Sequence, residues 1–204
     1  MVLLARFADL MLLNILYLVT CIPIITIGSA TAALYTVVFK IGTRREHGAV
    51  LPYFRAFRAN FRQGCILWLA LAFVSACLLF DAALFYRMSG GVRYLCVPFA
   101  LLLVLALLTA GYLFPLVSLF ENSAVGTIKN ALALCLAHLP RSAAVLAVNA
   151  FPFALLAVSP LVFFYAGFIW LAVYFSAGAY INSLLLRKVF QPFLPEDTFK
   201  EEEE

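Results

Sequence analysis

The chain has 204 residues, of which 66% are hydrophobic and only 12% are charged, and its mean hydropathy is +1.05. A soluble domain carries about 25% charged residues, so this composition excludes an ordinary water-soluble enzyme or binding module. The net charge is +4, but the basic residues cluster at the ends of apolar runs, which indicates membrane topology and excludes a nucleic-acid-binding face.

The first apolar stretch contains a break and predicts two helices, over about 4–22 and 29–43. Pro23 disfavours helix at the residue before it, Gly28 frees the backbone, and Ser29 is a candidate N-cap of the second helix. Two crossings here would give six membrane segments in all, and one crossing would give five. The apolar run exceeds the roughly 7–15 residues of a signal-peptide core, so we expect a membrane helix rather than a cleaved leader.

The densest basic cluster follows, over residues 40–63, and by the positive-inside rule it lies in the cytoplasm. Gly48 to Pro52 forms a turn, and a helix is predicted from Tyr53. An aromatic series and an arginine series recur at the same i, i+3, i+7 spacing: Phe54, Phe57, Phe61 and Arg55, Arg58, Arg62. The pattern is typical of an interfacial helix, with rings at the acyl boundary and arginines at lipid phosphates.

The rest of the chain predicts four membrane spans and a second cytoplasmic helix. The spans cover about 64–87, 94–120, 142–158 and 161–186. The second cytoplasmic helix covers about 124–138, and Asn122 or Ser123 is its candidate cap. One face of this helix is formed by Val125, Ile128, Leu132, Cys135, Leu136 and Leu139.

Residues 1–190 are therefore predicted to form a single all-α, polytopic membrane domain, with five to six membrane segments and two cytoplasmic interfacial helices. Residues 191–204 form an acidic tail. The basic loops place the C-terminus in the cytoplasm and the protein in the plasma membrane. Arg87, which precedes the outer loop 88–93, and Arg93, its last residue, are the exception to this charge distribution.

Four polar residues inside predicted spans are candidates for an ion or substrate path, because polar groups are rare and costly in a membrane. They are Asp81, Asn14, Asn149 and Asn182. Pairing of Asp81 with Arg87 or Arg93 near the outer interface is the favoured interpretation, and a path is the alternative. The asparagines are expected to form interhelical hydrogen bonds, with a polar cavity as the alternative.

Enzyme motifs are missing from the sequence, which has no H-E-x-x-H, no phosphate-binding G-x-x-x-x-G-K-[ST] and no G-x-S-x-G. We therefore expect a non-enzymatic protein that needs no metal or cofactor and binds no nucleic acid. The five cysteines lie in apolar surroundings without a C-x-x-C pair, so they are expected to be unbridged thiols.

Several motifs occur in a specific order along nearly the whole chain. The first are Pro23-Ile-Ile-Thr-Ile-Gly28, Ala30-Thr-Ala-Ala-Leu-Tyr35 and the elbow Phe54-Arg-Ala-Phe-Arg-Ala-Asn-Phe-Arg-Gln63. The later ones are Tyr112-Leu-Phe-Pro115, Phe120-Glu-Asn122, Lys129-Asn-Ala131, His138-Leu-Pro-Arg141 and Tyr180-Ile-Asn-Ser183. Together they resemble the YesL-like bacterial integral membrane family, a domain of unknown function.

Proteins of that family often accompany binding-protein-dependent sugar import systems in Gram-positive bacteria. The resemblance therefore implies an accessory role in ABC-type carbohydrate uptake, with permease subunits and membrane lipid as partners. The expected docking surface is formed by Phe54, Arg55, Phe57, Arg58 and Arg62. The alternative is a small solute transporter or channel in its own right, and a third hypothesis is a lipid sensor that uses the arginine-rich helix.

Overall fold

Every regular element in the described part of the chain is helical. The structure is a computed structural model that describes residues 2–40, 48–165 and 167–194. The α-helices are α1 Val2–Cys21, α2 Ile27–Lys40, α3 Val50–Ala59, α4 Phe61–Arg87, α5 Cys96–Leu119, α6 Ala124–Ala137, α7 Leu139–Val158, α8 Pro160–Tyr165, α9 Gly167–Ile169 and α10 Phe175–Phe190. Short 3-10 turns cover Ile24–Thr26, Gly91–Leu95 and Gln191–Phe193, and a π-helical turn covers Trp170–Tyr174.

Three helical stretches are long and apolar enough to cross a membrane: Phe61–Arg87, Gly91–Leu119 and Leu139–Val158. Each has at least the roughly 20 residues that a bilayer core requires. The prediction of an all-α membrane protein is thereby confirmed. The first predicted pair corresponds to two shorter apolar stretches, Phe7–Cys21 and Ile24–Lys40, and whether they cross the membrane once or twice stays a prediction.

Parts of three predicted segments lie outside the described residues. They are residues 41–47 of the basic loop, residue 166 of the span predicted over 161–186, and residues 195–204 of the acidic tail. The division into a membrane domain over 1–190 and a tail over 191–204 therefore stays a prediction. The cytoplasmic position of the C-terminus also stays a prediction, because helix length and composition do not distinguish the two sides of a membrane.

The predicted break near Pro23 is present, and the side chain of Thr26 closes it. The Thr26 hydroxyl lies 2.5 Å from the carbonyl oxygen of Thr20 and 2.6 Å from that of Pro23, to which it donates. The prediction that Ser29 caps the second helix is wrong, because α2 already begins at Ile27. The Ser29 hydroxyl instead donates to the Thr26 carbonyl at 2.8 Å, inside the first turn of the helix.

Helix α2 is the centre of the fold, since ten of its fourteen residues are buried and it packs against α1, α3, α4, α5 and α10. Small side chains at Ala30, Ala32 and Ala33 let the neighbouring helices approach closely. The tightest approach is at Gly28 and Gly64, where the starts of α2 and α4 cross. The core therefore lies where α2 meets the start of α4, the second half of α5, and α10.

Beyond this core, α4 and α5 continue as a hairpin with exposed apolar surfaces. Phe73, Phe80 and Leu101 are among its exposed side chains. The rings of Phe85 and Phe99 stack across the hairpin, with centroids 5.3 Å apart. Large apolar side chains exposed along a whole helix are typical of a surface in contact with lipid.

Candidate interaction surface

Helix α3 is held against the core by Tyr53, whose side chain is fully buried. Its hydroxyl lies 2.6 Å from Oγ1 of Thr20 at the end of α1, and the two groups share a hydrogen bond. Burial raises the pKa of the Tyr53 hydroxyl above its ordinary value. The helix begins at Val50 rather than at the predicted Tyr53, with Pro52 in the first turn, where the missing amide proton interrupts no helical hydrogen bond.

The sequence predicted one outward aromatic stripe in this region. The structure does not have it. Phe57 is half-buried and its ring stacks on Tyr53, with centroids 6.4 Å apart, whereas Phe54 and Phe61 are exposed. The physical reason is that Tyr53 and Phe57 are four residues apart on a helix and therefore share a face, which the buried tyrosine turns inward. Phe57 also contacts the ring of Phe61 edge-on, at 5.6 Å between centroids.

Phe61 and Arg62 belong to α4 and not to the short helix on which they were predicted. Helix α3 ends at Ala59, and Asn60 has the non-helical dihedral angles φ −96° and ψ 7°. The side-chain amide of Asn60 donates to the Ala56 carbonyl at 3.1 Å, which stabilises the break. The last members of both series therefore lie across a corner between two helices.

Three guanidinium groups are exposed around this corner, those of Arg55 and Arg58 on α3 and of Arg62 at the start of α4. Within the described ranges, no carboxylate forms an ion pair with any of them. Together with the exposed rings of Phe54 and Phe61 they form a surface that we call the arginine corner. It combines positive charge with exposed apolar area, as interfaces with proteins and with lipid both do.

Gln63, which the sequence did not single out, connects the arginine corner to α6. Its Nε2 donates to the carbonyl of Asn122 at 2.9 Å and to Oγ1 of Thr127 at 3.1 Å. Ser123 is the N-cap of α6, as predicted, because its hydroxyl accepts the N–H of Gly126 at 3.2 Å. The starts of α4 and α6 thus support each other, through partners 59 and 64 positions apart that leave no periodic signal in the sequence.

The predicted apolar series of α6 is present, but most of it lies on the surface. Its exposed members are Val125, Ile128, Leu132, Leu136 and Leu139. The side of α6 that faces the core is formed by Thr127, Ala131 and Cys135. Small side chains therefore make the helix contact, because they allow the backbones to approach.

Asn14 forms the interhelical hydrogen bond that the sequence led us to expect. The residue is fully buried, and its Oδ1 accepts the backbone N–H of Ser176 at 3.1 Å. Ser176 lies just after the π-helical turn Trp170–Tyr174, which interrupts the regular pattern of helical hydrogen bonds. An amide oxygen from α1 thus provides an acceptor for a backbone donor beside an irregular turn.

Asn149 and Asn182 are brought together by the fold. Nδ2 of the fully buried Asn182 donates to Oδ1 of Asn149 at 2.9 Å and to the hydroxyl of Tyr35 at 3.2 Å. These bonds join α10, α7 and α2, with Asn149 at the exposed edge of the group. They are interhelical hydrogen bonds of the expected kind, and the alternative of a polar cavity stays a prediction.

Replacing Asn182 by alanine is expected to lower the free energy of unfolding by about 1–2 kcal/mol, because Asn149 and Tyr35 both lose a donor. Titration with sodium dodecyl sulfate would measure N182A, N149A and the double variant. We expect a coupling energy between about 0.6 and 1.7 kcal/mol. N130A, at an exposed position on α6, is the control and should change stability by no more than about 0.5 kcal/mol. Strict additivity of N149A and N182A would contradict this assignment.

Among the described residues, Asp81 forms no hydrogen bond with the three asparagines. It is half-buried on α4, about 9 Å along the axis from the last residue of that helix. The predicted pairing is wrong: among the described residues, no ion pair links Asp81 to Arg87 or Arg93. The guanidinium of Arg93 lies instead over the ring of Tyr86, 4.5 Å from its centroid, and this cation–π contact holds it at the end of the hairpin.

Groups of three or more His, Cys, Asp or Glu side chains that could hold a metal ion do not occur among the described residues. The five cysteines are free thiols. The expectations that the protein needs no metal or cofactor and catalyses no reaction stay predictions.

Residues 10–82 match the model of a family described as "Protein of unknown function, DUF624". The match spans the opening signature and the elbow, and it confirms the resemblance to the YesL-like family over this part of the chain. The motifs from Tyr112 onward lie outside it and remain a resemblance. No curated protein and no solved structure matches the chain.

Proposed function

We propose that the protein is a non-enzymatic, multi-pass plasma-membrane protein that assists an ABC-type carbohydrate uptake system. In this proposal the arginine corner docks on the cytoplasmic side of a permease subunit. The connection to carbohydrate rests on the family resemblance, which is an association. The docking surface rests on the geometry of the corner.

The observation that carries the proposal is the arrangement of Arg55, Arg58 and Arg62 around the corner between α3 and α4. All three guanidinium groups are exposed, and in the described parts of the chain none of them has an acidic partner. The hydrogen bond of buried Tyr53 fixes α3 against α1, and the hydrogen bonds of Gln63 fix the start of α4 against α6. A surface that is already ordered loses little conformational entropy on binding, so the geometry supports a docking role.

The corner also specifies the chemistry of its partner. Arginine binds carboxylates through paired hydrogen bonds, so the complementary surface should carry Asp or Glu. The exposed rings of Phe54 and Phe61 require an apolar patch beside those carboxylates. A permease subunit that binds here should therefore present acidic residues next to apolar ones on its cytoplasmic side.

Changing Arg55, Arg58 and Arg62 together to glutamine is expected to reduce recovery of permease subunits at least tenfold. Each charge-assisted hydrogen bond contributes about 1.5–3 kcal/mol, and about 1.4 kcal/mol corresponds to a factor of ten in affinity. The measurement is a pull-down from native membranes in mild detergent, with permease subunits quantified by mass spectrometry. Lys129→Gln, at an exposed position on α6, is the matched control and should leave recovery unchanged.

Two results would contradict the proposal. Undiminished recovery by the triple variant would exclude the arginine corner as the docking surface. Recovery of no permease subunit by the unmodified protein, together with normal sugar uptake in a deletion strain, would exclude the accessory role itself.

A small solute transporter is the second candidate, and one observation favours it. Among the described residues, the buried Oδ1 of Asn182 has no hydrogen-bond partner, and such an acceptor is satisfied by a water molecule or a solute. Against it, Asp81 is not part of the same cluster. Solute flux into vesicles that contain the purified protein alone would favour this candidate, and vesicles that take up no solute would count against it.

A further inference from the structure

A groove runs between α4 and α5 in the half of their hairpin that lies beyond the core, with a volume of about 680 Å³. Apolar side chains form its walls, among them Leu79 on α4 and Val104 on α5. The space between the two helices stays open at Ala82 and Ala100, because a methyl side chain is too small to fill it. Asp81, the acidic residue of this half of α4, does not line the groove.

One end of the groove is cationic. Arg87, the last residue of α4, lines it there, and Tyr86 beside it carries the guanidinium of Arg93 on its ring. Neither arginine forms an ion pair with a carboxylate in the described ranges of the chain. These are the two basic residues whose position at the predicted outer loop departs from the positive-inside pattern. Neither of them belongs to the arginine corner.

An apolar groove with positive charge at one end matches a lipid molecule with a negative headgroup. From Leu79 to Arg87 the groove extends about 12 Å along the helix axis, the length of much of an acyl chain. The groove lies on an apolar hairpin whose outward side chains, such as Leu79 and Val104, are exposed, so lipid is the solvent that meets the groove. Guanidinium groups bind phosphate oxygens through paired hydrogen bonds.

We propose that this groove binds one anionic phospholipid, with an acyl chain between α4 and α5 and the headgroup phosphate at Arg87 and Arg93. The stacking of Phe85 on Phe99 keeps the two helices together beside the groove. Tyr86 places Arg93 at the same end as Arg87. The inference is independent of the proposed docking of a permease subunit, which uses the opposite end of α4.

Two variants test the two parts of the site. Ala100→Leu fills the groove, and the double variant R87Q/R93Q removes the charge at its end. Native mass spectrometry of protein from nanodiscs of phosphatidylglycerol and phosphatidylcholine would count the lipid retained. We expect one retained phosphatidylglycerol per protein, and at least fivefold less of it in each variant. Cys77 is exposed on α4 and does not line the groove, so the control Cys77→Leu should retain as much lipid as the unmodified protein.

The possible results of this experiment distinguish an anionic lipid in the groove from other occupants. Equal retention of phosphatidylglycerol by the unmodified protein and by R87Q/R93Q, which changes only exposed side chains, would overturn the proposal even if Ala100→Leu failed to fold. Equal retention of phosphatidylcholine and phosphatidylglycerol would overturn it as well. Displacement of the lipid by inorganic phosphate would show a free-anion site instead, whereas retention in its presence supports the lipid site.

Discussion

Replacing Phe190 by alanine is expected to lower the free energy of unfolding by about 3–5 kcal/mol. The ring is fully buried at the end of α10. It contacts Phe39 of α2, Tyr112 of α5 and Phe120 edge-on, with centroids 6.2 to 6.4 Å apart. Truncation would open a cavity among these three rings, and the dispersion contacts would be lost even in a lipid solvent. Thermal unfolding in detergent, monitored by size-exclusion chromatography, measures the loss.

Phe193 provides the matched control for this change. It lies three residues further along the same chain segment and is 62% exposed. F193A removes the same atoms from an exposed position and should change stability by no more than about 0.5 kcal/mol. Comparable losses in F190A and F193A would refute the three-ring cluster as a centre of stability.

Replacing Gly28 by alanine is expected to cost about 2–3 kcal/mol, because the helix crossing at this residue has no room for a side chain. A Cβ atom here would meet the backbone carbonyl oxygen of Gly64 and would lie 2.6 Å from Cβ of Trp68. Cβ on Gly64 would in turn lie 2.7 Å from Cα of Ser29. The opposing atoms are mostly backbone, so relief requires α2 and α4 to separate, and the same unfolding assay would report it.

Gly91 is the control for the crossing, since an added Cβ there would meet no atom within 4 Å and its φ angle is not positive. G91A should therefore unfold like the unmodified protein. G28A and G64A remove the same contact, so their double variant should lose clearly less than the sum of the two single losses. Full additivity, or an unaffected G28A, would contradict a close backbone crossing.

Local chemistry made several features predictable. The proline at position 23 marked the break between α1 and α2, and Ser123 marked the start of α6 through its capping hydroxyl. The long spans followed from runs of apolar residues without charge. These features depend on residues within a few positions of one another, so a single sequence contains the information.

The candidate site was predictable only in part. The exposed positions of Arg55, Arg58 and Arg62 agree with the pattern, but the break at Asn60 and the inward turn of Phe57 do not follow from it. Both depend on buried Tyr53, whose partner Thr20 is 33 positions away. From the sequence, the cationic end of the α4–α5 groove gave only one signal, the departure of Arg87 and Arg93 from the positive-inside pattern. The groove itself could not be predicted, because it forms between two helices.

The sequence by itself determined that the chain is helical, that it belongs in a membrane, and where its main helices break. Only the tertiary structure decided which side of each helix faces inward. In water, large apolar side chains mark the buried face, but lipid is as apolar as leucine, so size and apolarity alone do not identify that face here. Large side chains such as Phe190 are buried while others such as Phe73 are exposed. Small and polar groups also turn inward, such as Gly28 against Gly64 and Asn182 beside Tyr35, because they permit close contact or require a hydrogen-bond partner.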